Sequence, residues 1–178
     1  MSTITIAPYE FEPFLSTSTI DERVEQISAA MTEAESENNP VFLVIMTGAF
    51  IFAADLLRKI SFPCEVRFVR VKSYAGTSST GVFRIERDYL DELTGRNIII
   101  IEDIIDTGRT IEKILGILAG ESVSSIKICS LLSKPDAHEI PMQIDYVGFE
   151  IPNEFVIGYG LDYNDKGRNL PEIWKVKG

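Results

Sequence analysis

The segment IIIIEDIIDTGRTI, residues 98–111, carries the clearest structural signal in this chain. Four consecutive isoleucines are apolar and β-branched, which is typical of a central strand of a parallel sheet with both faces buried. Three acids follow at once, at Glu102, Asp103 and Asp106. After a short loop, apolar residues recur at helical spacing at positions 111, 114, 115 and 118. The segment therefore predicts a strand, a tight polar loop and the start of a helix.

The loop between this strand and helix suits a phosphate. The first N–H groups of a helix are unpaired, and its N-terminus carries a partial positive charge. Gly108 lets the backbone approach a ligand closely, and the hydroxyls of Thr107 and Thr110 add two donors. Carboxylates would repel a phosphate, so the three acids suit hydroxyl groups, a proton or a bridging cation. The alternative is that Glu102 and Asp103 form a solvated strand end and Thr107 only caps the helix.

Two common nucleotide-binding motifs do not fit this sequence. A P-loop requires GxxxxGK[ST], which does not occur, and a Rossmann fingerprint requires GxGxxG, whereas the glycines here are single. A receiver-type domain also gathers acids at strand ends, but its acid pair follows the first strand instead of one in the middle of the chain.

The segment at 98–111 resembles the ribose-phosphate signature of the type I phosphoribosyltransferases. Three further segments resemble the hypoxanthine-guanine phosphoribosyltransferases, in the same order and at similar spacing. They are KSYAGTSSTG (72–81), LLSKPD (131–136) and VGFEIPNEFVIGYGLDYNDKGRNLPEI (147–173). The resemblance covers roughly residues 40–173, and the last segment is specific to the purine salvage branch.

Hydrophobic patterns along the chain agree with the α/β fold that this resemblance implies. Strands are predicted near 41–46, 65–71, 97–102, 126–132 and 144–149, alternating with helices. We expect a mostly parallel sheet flanked by helices on both faces, within a single domain spanning 1–178. Its core would lie at about 20–135, with a small hood built from about 1–18 and 136–178. Residues 1–18 indicate an irregular or weakly extended lead-in, and Thr19 to Glu22 has the form of a capping box that opens a helix.

The resemblance assigns the ribose and phosphate contacts to residues 102–110. Glu102 and Asp103 would accept hydrogen bonds from the two ribose hydroxyls, and Asp106 would be the acid or base at N7 of a purine. The 5′-phosphate would be held by the loop from Asp106 onward, through Thr107, Gly108, Arg109 and Thr110.

The resemblance also implies a pyrophosphate site. In the family, the loop after the first buried strand carries a Lys or Arg before its glycine and often a cis non-proline peptide. This chain has Thr47 at the basic position, followed by Gly48, and a cis Met46–Thr47 peptide is expected. Arg168 would contact the leaving pyrophosphate. Because Thr47 replaces the usual cation, Arg168 would supply more of the positive charge that this group needs. Ser73 and Tyr74 would belong to a lid over the reacting centre, within a loop too long for a simple connection.

The purine contacts implied by the resemblance come from the C-terminal third of the chain. Lys134 would donate to the exocyclic oxygen of a 6-oxopurine, Phe155 would stack on the base, and the Val156 main chain would contact its edge. Asp162 would lie near the base and reach Mg²⁺, with Glu102 and Asp103 as further candidate metal contacts. The expected activity is transfer of the 5-phosphoribosyl group from phosphoribosyl diphosphate to hypoxanthine or guanine, giving IMP or GMP.

Composition limits the partners. A net charge of −10 argues against nucleic-acid or acidic-membrane partners, and it fits a sugar diphosphate only if Mg²⁺ accompanies the substrate. Cys64 and Cys129 lack CxxC spacing, and neither a signal peptide nor an apolar run of membrane length is evident, so we expect a cytoplasmic enzyme. The resemblance implies a homodimer or homotetramer. The main alternative is a regulatory or sensor module of the same fold with little catalysis.

Overall fold

The computed structural model describes residues 3–70 and 93–178. In chain order the elements are β1 (Ile4–Ile6), β2 (Tyr9–Leu15), α1 (Thr17–Glu35), β3 (Val41–Met46), α2 (Phe50–Lys59), β4 (Glu65–Arg70), β5 (Asn97–Ile105), α3 (Arg109–Leu118), β6 (Ser125–Ser133), a short 3-10 helix at Pro135–Ala137, β7 (Tyr146–Glu150), β8 (Val156–Ile157) and β9 (Ile173–Val176). Among these helices, none is both long and apolar enough to span a membrane.

Five strands form a parallel sheet in the order β4-β3-β5-β6-β7. The isoleucines of β5 lie at its centre and alternate between two apolar clusters. Ile99 and Ile101 pack with residues of α1 and α2, whereas Ile98 and Ile100 pack with residues of α3. Helices therefore cover both faces, as predicted from the continuous apolar run. The sheet includes β7 and so extends past residue 135, where the core was expected to end.

A second sheet is antiparallel and has the order β1-β2-β9-β8. It joins the two sequence regions expected to form the hood. Residues 1–18 were predicted to be irregular or weakly extended, and the structure shows that most of them form two regular strands, β1 and β2. Strand β1 pairs with β2, and the other partner of β2 is β9, about 160 residues away, with Phe11 opposite Val176. Local sequence cannot reveal such a partner, and an unpaired strand of this length is not stable alone.

Helix α1 begins three residues earlier than the capping-box pattern indicated, because that pattern made Thr19 the N-cap. Ser16 is the N-cap, and its side chain accepts a hydrogen bond from the backbone N–H of Thr19 at 3.2 Å. Ser16 has extended dihedral angles, the usual conformation of an N-cap residue. The run of serines and threonines at 16–19 offers several capping residues, and pattern alone does not choose among them.

A buried carboxylate fastens the end of α1 to the parallel sheet. Glu35 is only 2% exposed and accepts hydrogen bonds from Lys127 Nζ at 2.6 Å, Tyr146 Oη at 2.6 Å and Asn38 Nδ2 at 3.0 Å. Burial raises the pKa of Glu35, but the hydrogen bonds from Lys127, Tyr146 and Asn38 outweigh that effect and leave the pKa below its usual value.

We expect Glu35→Gln to lower the free energy of unfolding by about 1–3 kcal/mol at pH 7, because Lys127 loses its counter-charge. The pKa of Glu35 is lower in the folded chain. Its contribution is therefore fully present above the unfolded value of about 4.3 and is lost as the pH falls through the folded value. Urea unfolding should accordingly show the two proteins converging as the pH drops from about 4 towards 2. A difference that stays constant with pH would contradict this role for the ionised carboxylate.

Candidate active site

The loops after β3, β5 and β6 meet at one edge of the parallel sheet, since parallel strands end on the same side. Thr47 and Gly48 follow β3, Asp106 to Gly108 follow β5, and Lys134 follows β6. This carboxyl edge is the usual position of a ligand crevice in open α/β sheets. The fold therefore brings together residues that are far apart in sequence and were assigned there by resemblance.

The two acids within β5 form a buried pair. Glu102 is 6% exposed and Asp103 is 8% exposed, so the alternative of a solvated strand end was wrong. Oε1 of Glu102 accepts from the backbone N–H of Asp103 at 3.3 Å, and Oδ1 of Asp103 accepts from that of Ile104 at 2.9 Å. Oε2 of Glu102 is buried and has no hydrogen-bond partner among the described residues.

The electrostatic state of this pair follows from its burial. Loss of solvent, reinforced by the neighbouring Asp103, raises the pKa of Glu102 well above its usual value. Burial therefore disfavours the charged form of Glu102, and a bound cation would favour that form again. A buried oxygen without a donor, next to a second carboxylate, suits a ligand that brings hydroxyl groups or a cation.

The loop after β3 lies directly on this acid pair. A Cβ atom on Gly48 would be 1.7 Å from Oδ2 of Asp103, so only glycine fits here without a displacement. The peptide between Met46 and Thr47 is cis, as expected. The predicted pyrophosphate loop and the predicted ribose-binding acids therefore share one contact surface.

The predicted phosphate loop leads directly into the N-terminus of α3. Gly108 is the N-cap of α3 with φ of 85°, and a Cβ there would lie 2.1 Å from Cε of Met142. Gly108 has no side chain with which to cap the first turn, and Oγ1 of Thr107 accepts a hydrogen bond from the backbone N–H of Arg109 at 3.4 Å. The Arg109 guanidinium lies against Glu139, with Nε 2.7 Å from Oε2.

Asp106 and Lys134 are joined by an ion pair. Nζ of Lys134 lies 2.9 Å from Oδ2 of Asp106. Lys134 is only 5% exposed, whereas the Asp106 side chain is half-exposed. A surface lysine with its ammonium group in water is thus excluded. The structure instead places a buried cation and an accessible carboxylate side by side at the edge of the sheet.

The aromatic ring of Phe155 is 43% exposed and rests on three other rings. Its centroid lies 6.1 Å from that of Tyr9, 6.2 Å from that of Phe11 and 5.7 Å from that of Tyr163. Phe155 is therefore supported by neighbouring rings and still leaves aromatic surface exposed, as a stacking platform for a base requires. The sequence-based predictions did not include the three supporting rings. The alternation of apolar residues in β2 was the available signal for Tyr9 and Phe11.

Arg168 and Asp162 form an ion pair, with Nη2 2.6 Å from Oδ1. Nη1 of Arg168 also donates to the Gly160 carbonyl at 2.7 Å, and Oδ2 of Asp162 accepts from the backbone N–H of Asp165 at 2.8 Å. Within 3–70 and 93–178, no three His, Cys, Asp or Glu side chains are grouped to hold a metal. The structure therefore does not assemble Asp162, Glu102 and Asp103 into one metal cluster.

The remaining predicted site residues are Val156, which was assigned to the base, and Ser73 and Tyr74, which were assigned to a lid. Val156 is buried in β8, opposite Lys175, next to the aromatic platform. Ser73 and Tyr74 lie outside the described residues, so their place in a lid stays a prediction.

Comparison with known proteins agrees with this geometry. Residues 16–164 match the model of the phosphoribosyl transferase domain. The chain belongs to the phosphoribosyltransferase family.

Individual relatives show to which branch of this family the chain is similar. The chain is 41% identical to a hypoxanthine phosphoribosyltransferase of Buchnera aphidicola, covering 88% of this chain and 90% of that protein. It is 39% identical to a hypoxanthine-guanine phosphoribosyltransferase of Streptococcus pneumoniae, covering 89% and 88%. The crystal structure of a hypoxanthine phosphoribosyltransferase from Staphylococcus aureus superposes with a TM-score of 0.86 at 36% identity, covering 93% of this chain and 91% of that one. The resemblance to the hypoxanthine-guanine branch of the family is thereby confirmed.

Proposed function

We propose that this edge of the parallel sheet transfers a 5-phosphoribosyl group from phosphoribosyl diphosphate to a 6-oxopurine. The protein is an enzyme of purine salvage that acts on hypoxanthine or guanine and gives IMP or GMP plus pyrophosphate. The observation that carries the choice of base is the ion pair of Lys134 and Asp106, 2.9 Å apart. It offers one strong donor and one proton acceptor next to each other, beside the phosphate loop.

This pair matches one edge of a 6-oxopurine. The exocyclic O6 and the ring nitrogen N7 are neighbours on that edge. The Lys134 ammonium donates to O6, and Asp106 removes the proton from N7 as N9 forms its bond to the anomeric carbon. Adenine presents an amino group at position 6, which would face the ammonium donor to donor. The buried cation therefore selects against adenine.

The sugar is held at two points. The main chain of 107–110 and its threonine hydroxyls bind the 5′-phosphate, and Glu102 and Asp103 accept hydrogen bonds from the ribose hydroxyls. Fixing both ends places the anomeric carbon between the base and the leaving group, a proximity effect worth several kcal/mol. The acids also lie where positive charge develops on the ribose as the bond to pyrophosphate breaks.

Pyrophosphate leaves towards Thr47, Gly48 and Arg168. Because position 47 is a threonine, Arg168 is the cation that we assign to the pyrophosphate. Mg²⁺ fits Glu102 and Asp103, because Oε2 of Glu102 has a free coordination position and proteins often bind this ion by one or two carboxylates together with substrate oxygens. Asp162 fits less well, since both of its oxygens already accept hydrogen bonds. When bound, the ion neutralises charge on the pyrophosphate.

We also propose a cellular compartment, an oligomeric state and a domain organisation for the enzyme. Both cysteines are free thiols, which supports a reducing compartment and hence the cytoplasm. Phe68 is exposed on the edge strand β4, which supports a homodimer or homotetramer. Ile101 of the parallel sheet and Ile173 of the antiparallel sheet belong to one apolar cluster, which supports a single domain. The Ser73 and Tyr74 lid would exclude water during the reaction.

The proposal is tested by measuring pyrophosphate release from phosphoribosyl diphosphate and Mg²⁺, with hypoxanthine, guanine, xanthine, adenine and uracil each offered alone. We expect turnover with hypoxanthine or guanine and little with adenine, because Lys134 meets a donor there. Turnover with uracil alone would overturn the assignment of the base site. Tight binding of the sugar diphosphate without turnover of any base would favour a sensor instead.

A further inference from the structure

The turn at 158–160 has an unusual backbone. Gly158, Tyr159 and Gly160 all have positive φ angles, of 99°, 50° and 102°. Glycine adopts such angles easily, but a bulky aromatic residue rarely does. A tyrosine between two glycines therefore needs a local reason, and its side chain supplies one.

The side chain of Tyr159 is anchored on α2. Its hydroxyl donates to Oδ2 of Asp55 at 2.7 Å, and its backbone N–H donates to the Leu170 carbonyl at 2.8 Å. The ring is 6% exposed and belongs to the main apolar cluster. Burial and the Asp55 carboxylate raise the pKa of the phenol, so the hydroxyl stays protonated and remains the donor. The turn is thereby tied to the helix that follows the Thr47 and Gly48 loop.

The residue after the tyrosine touches both halves of the proposed pyrophosphate site. The Gly160 carbonyl accepts from Nη1 of Arg168 at 2.7 Å, and its N–H donates to the Arg168 carbonyl at 3.0 Å. A Cβ on Gly160 would lie 2.1 Å from the carbonyl oxygen of Gly48. Gly160 is thus in contact with Gly48 on one side and holds Arg168 on the other.

We propose that Tyr159 is a positioning residue for pyrophosphate, acting through Gly160 on Gly48 and Arg168. This inference rests on the proposed roles of Gly48 and Arg168 in the reaction. Position 47 is a threonine and so adds no charge beside Gly48, which makes the placement of the Arg168 guanidinium more important. The hydrogen bond from Tyr159 to Asp55 fixes the distance between the turn and α2, and so sets where the guanidinium stands relative to the Gly48 loop.

The test is Tyr159→Phe, which keeps the buried ring and removes only the hydroxyl. We expect a rise of roughly three- to tenfold in the KM for phosphoribosyl diphosphate and in the dissociation constant of inorganic pyrophosphate, the loss corresponding to one hydrogen bond. The KM for hypoxanthine should change less than about twofold, since Lys134 and Phe155 are untouched.

The matched control is Tyr146→Phe, because the Tyr146 hydroxyl also donates to a carboxylate, that of Glu35, at 2.6 Å. We expect this variant to lose stability and keep both pyrophosphate parameters. Equal kinetic effects in the two phenylalanine variants would reduce Tyr159 to a structural residue and overturn the proposal. Unchanged pyrophosphate binding in Tyr159→Phe would do the same.

Changes at Asp55 provide a second, independent route. Asp55→Ala removes the acceptor and should reproduce the Tyr159→Phe phenotype, whereas Asp55→Asn keeps an acceptor oxygen and should restore near-normal pyrophosphate binding. A normal pyrophosphate constant in Asp55→Ala contradicts the proposal even if Tyr159→Phe does not fold. Arg168→Ala tests the proposed pyrophosphate contact of Arg168 separately from the positioning role of Tyr159. If it leaves pyrophosphate binding unchanged, the proposed role of Arg168 is wrong and the positioning role falls with it, while turnover of hypoxanthine still tests the reaction itself.

Discussion

Replacing Asp106 with asparagine should lower the turnover number with hypoxanthine by about 10²-fold or more, the usual loss when a general base is removed. Asparagine has nearly the same shape, and its carbonyl oxygen can still accept from Lys134, which lies 2.9 Å from the carboxylate here. The variant therefore keeps the geometry of the site but cannot remove a proton from N7. Steady-state kinetics at saturating substrates would measure the effect.

Asp136→Asn is a suitable control for this experiment. Asp136 is an exposed acid two residues after Lys134, in the adjacent 3-10 helix. The substitution removes the same charge from the same region, and we expect turnover to change by less than about twofold because surface changes away from special contacts are mild. If Asp106→Asn and Asp136→Asn had similar turnover, Asp106 would not be the base.

A single methyl group at position 48 should abolish most of the activity. In Gly48→Ala the new Cβ would lie 1.7 Å from Oδ2 of Asp103, far inside van der Waals contact. Asp103 is short, buried and bonded to the backbone N–H of Ile104, so it cannot move aside without losing that bond. Either the acid pair or the Thr47 loop must shift. Since a displacement of about 1 Å in a catalytic site can cost 10²-fold in rate, we expect a loss of at least that size.

The matched control for this substitution is Gly116→Ala. Gly116 is in α3, and a Cβ there meets nothing within 4 Å. The variant should keep its activity and gain about 0.5–1 kcal/mol of stability, because alanine favours a helix more than glycine does. Activity assays and thermal unfolding of both variants would separate local overlap from a general effect of removing a glycine. Near-normal turnover in Gly48→Ala would show that the contact between the loop and Asp103 is not needed for catalysis.

The central sheet was predictable because its signals are local. The isoleucine run at 98–101 and the apolar run at 41–46 each identify a strand buried on both faces, whatever surrounds them. The acids at the end of β5 were found for the same reason, since they follow the apolar run directly. Their burial was not predictable, because it depends on the Gly48 loop from another part of the chain.

The elements that sequence did not reveal depend on distant partners. The strands β1 and β2 exist because β9 pairs with β2, and Tyr9 and Phe11 support the stacking ring only after that pairing. The ion pair of Asp162 with Arg168 likewise joins residues whose roles were assigned separately. Resemblance placed Phe155 and Arg168 in the site, but the contacts that fix their positions became visible only in three dimensions.

The antiparallel pairing of β2 with β9 also sets an order of events during synthesis. All five strands of the parallel sheet leave the ribosome before β8 and β9 do. The surface beneath Phe155 has to wait for residues 173–176, because β2 has no other neighbour on that side. A nascent chain of 150 residues would contain the predicted phosphate loop and both buried acids, but it would lack Phe155 and the support that β9 gives to β2. The proposed stacking platform for the purine is therefore complete only when the last strand is in place.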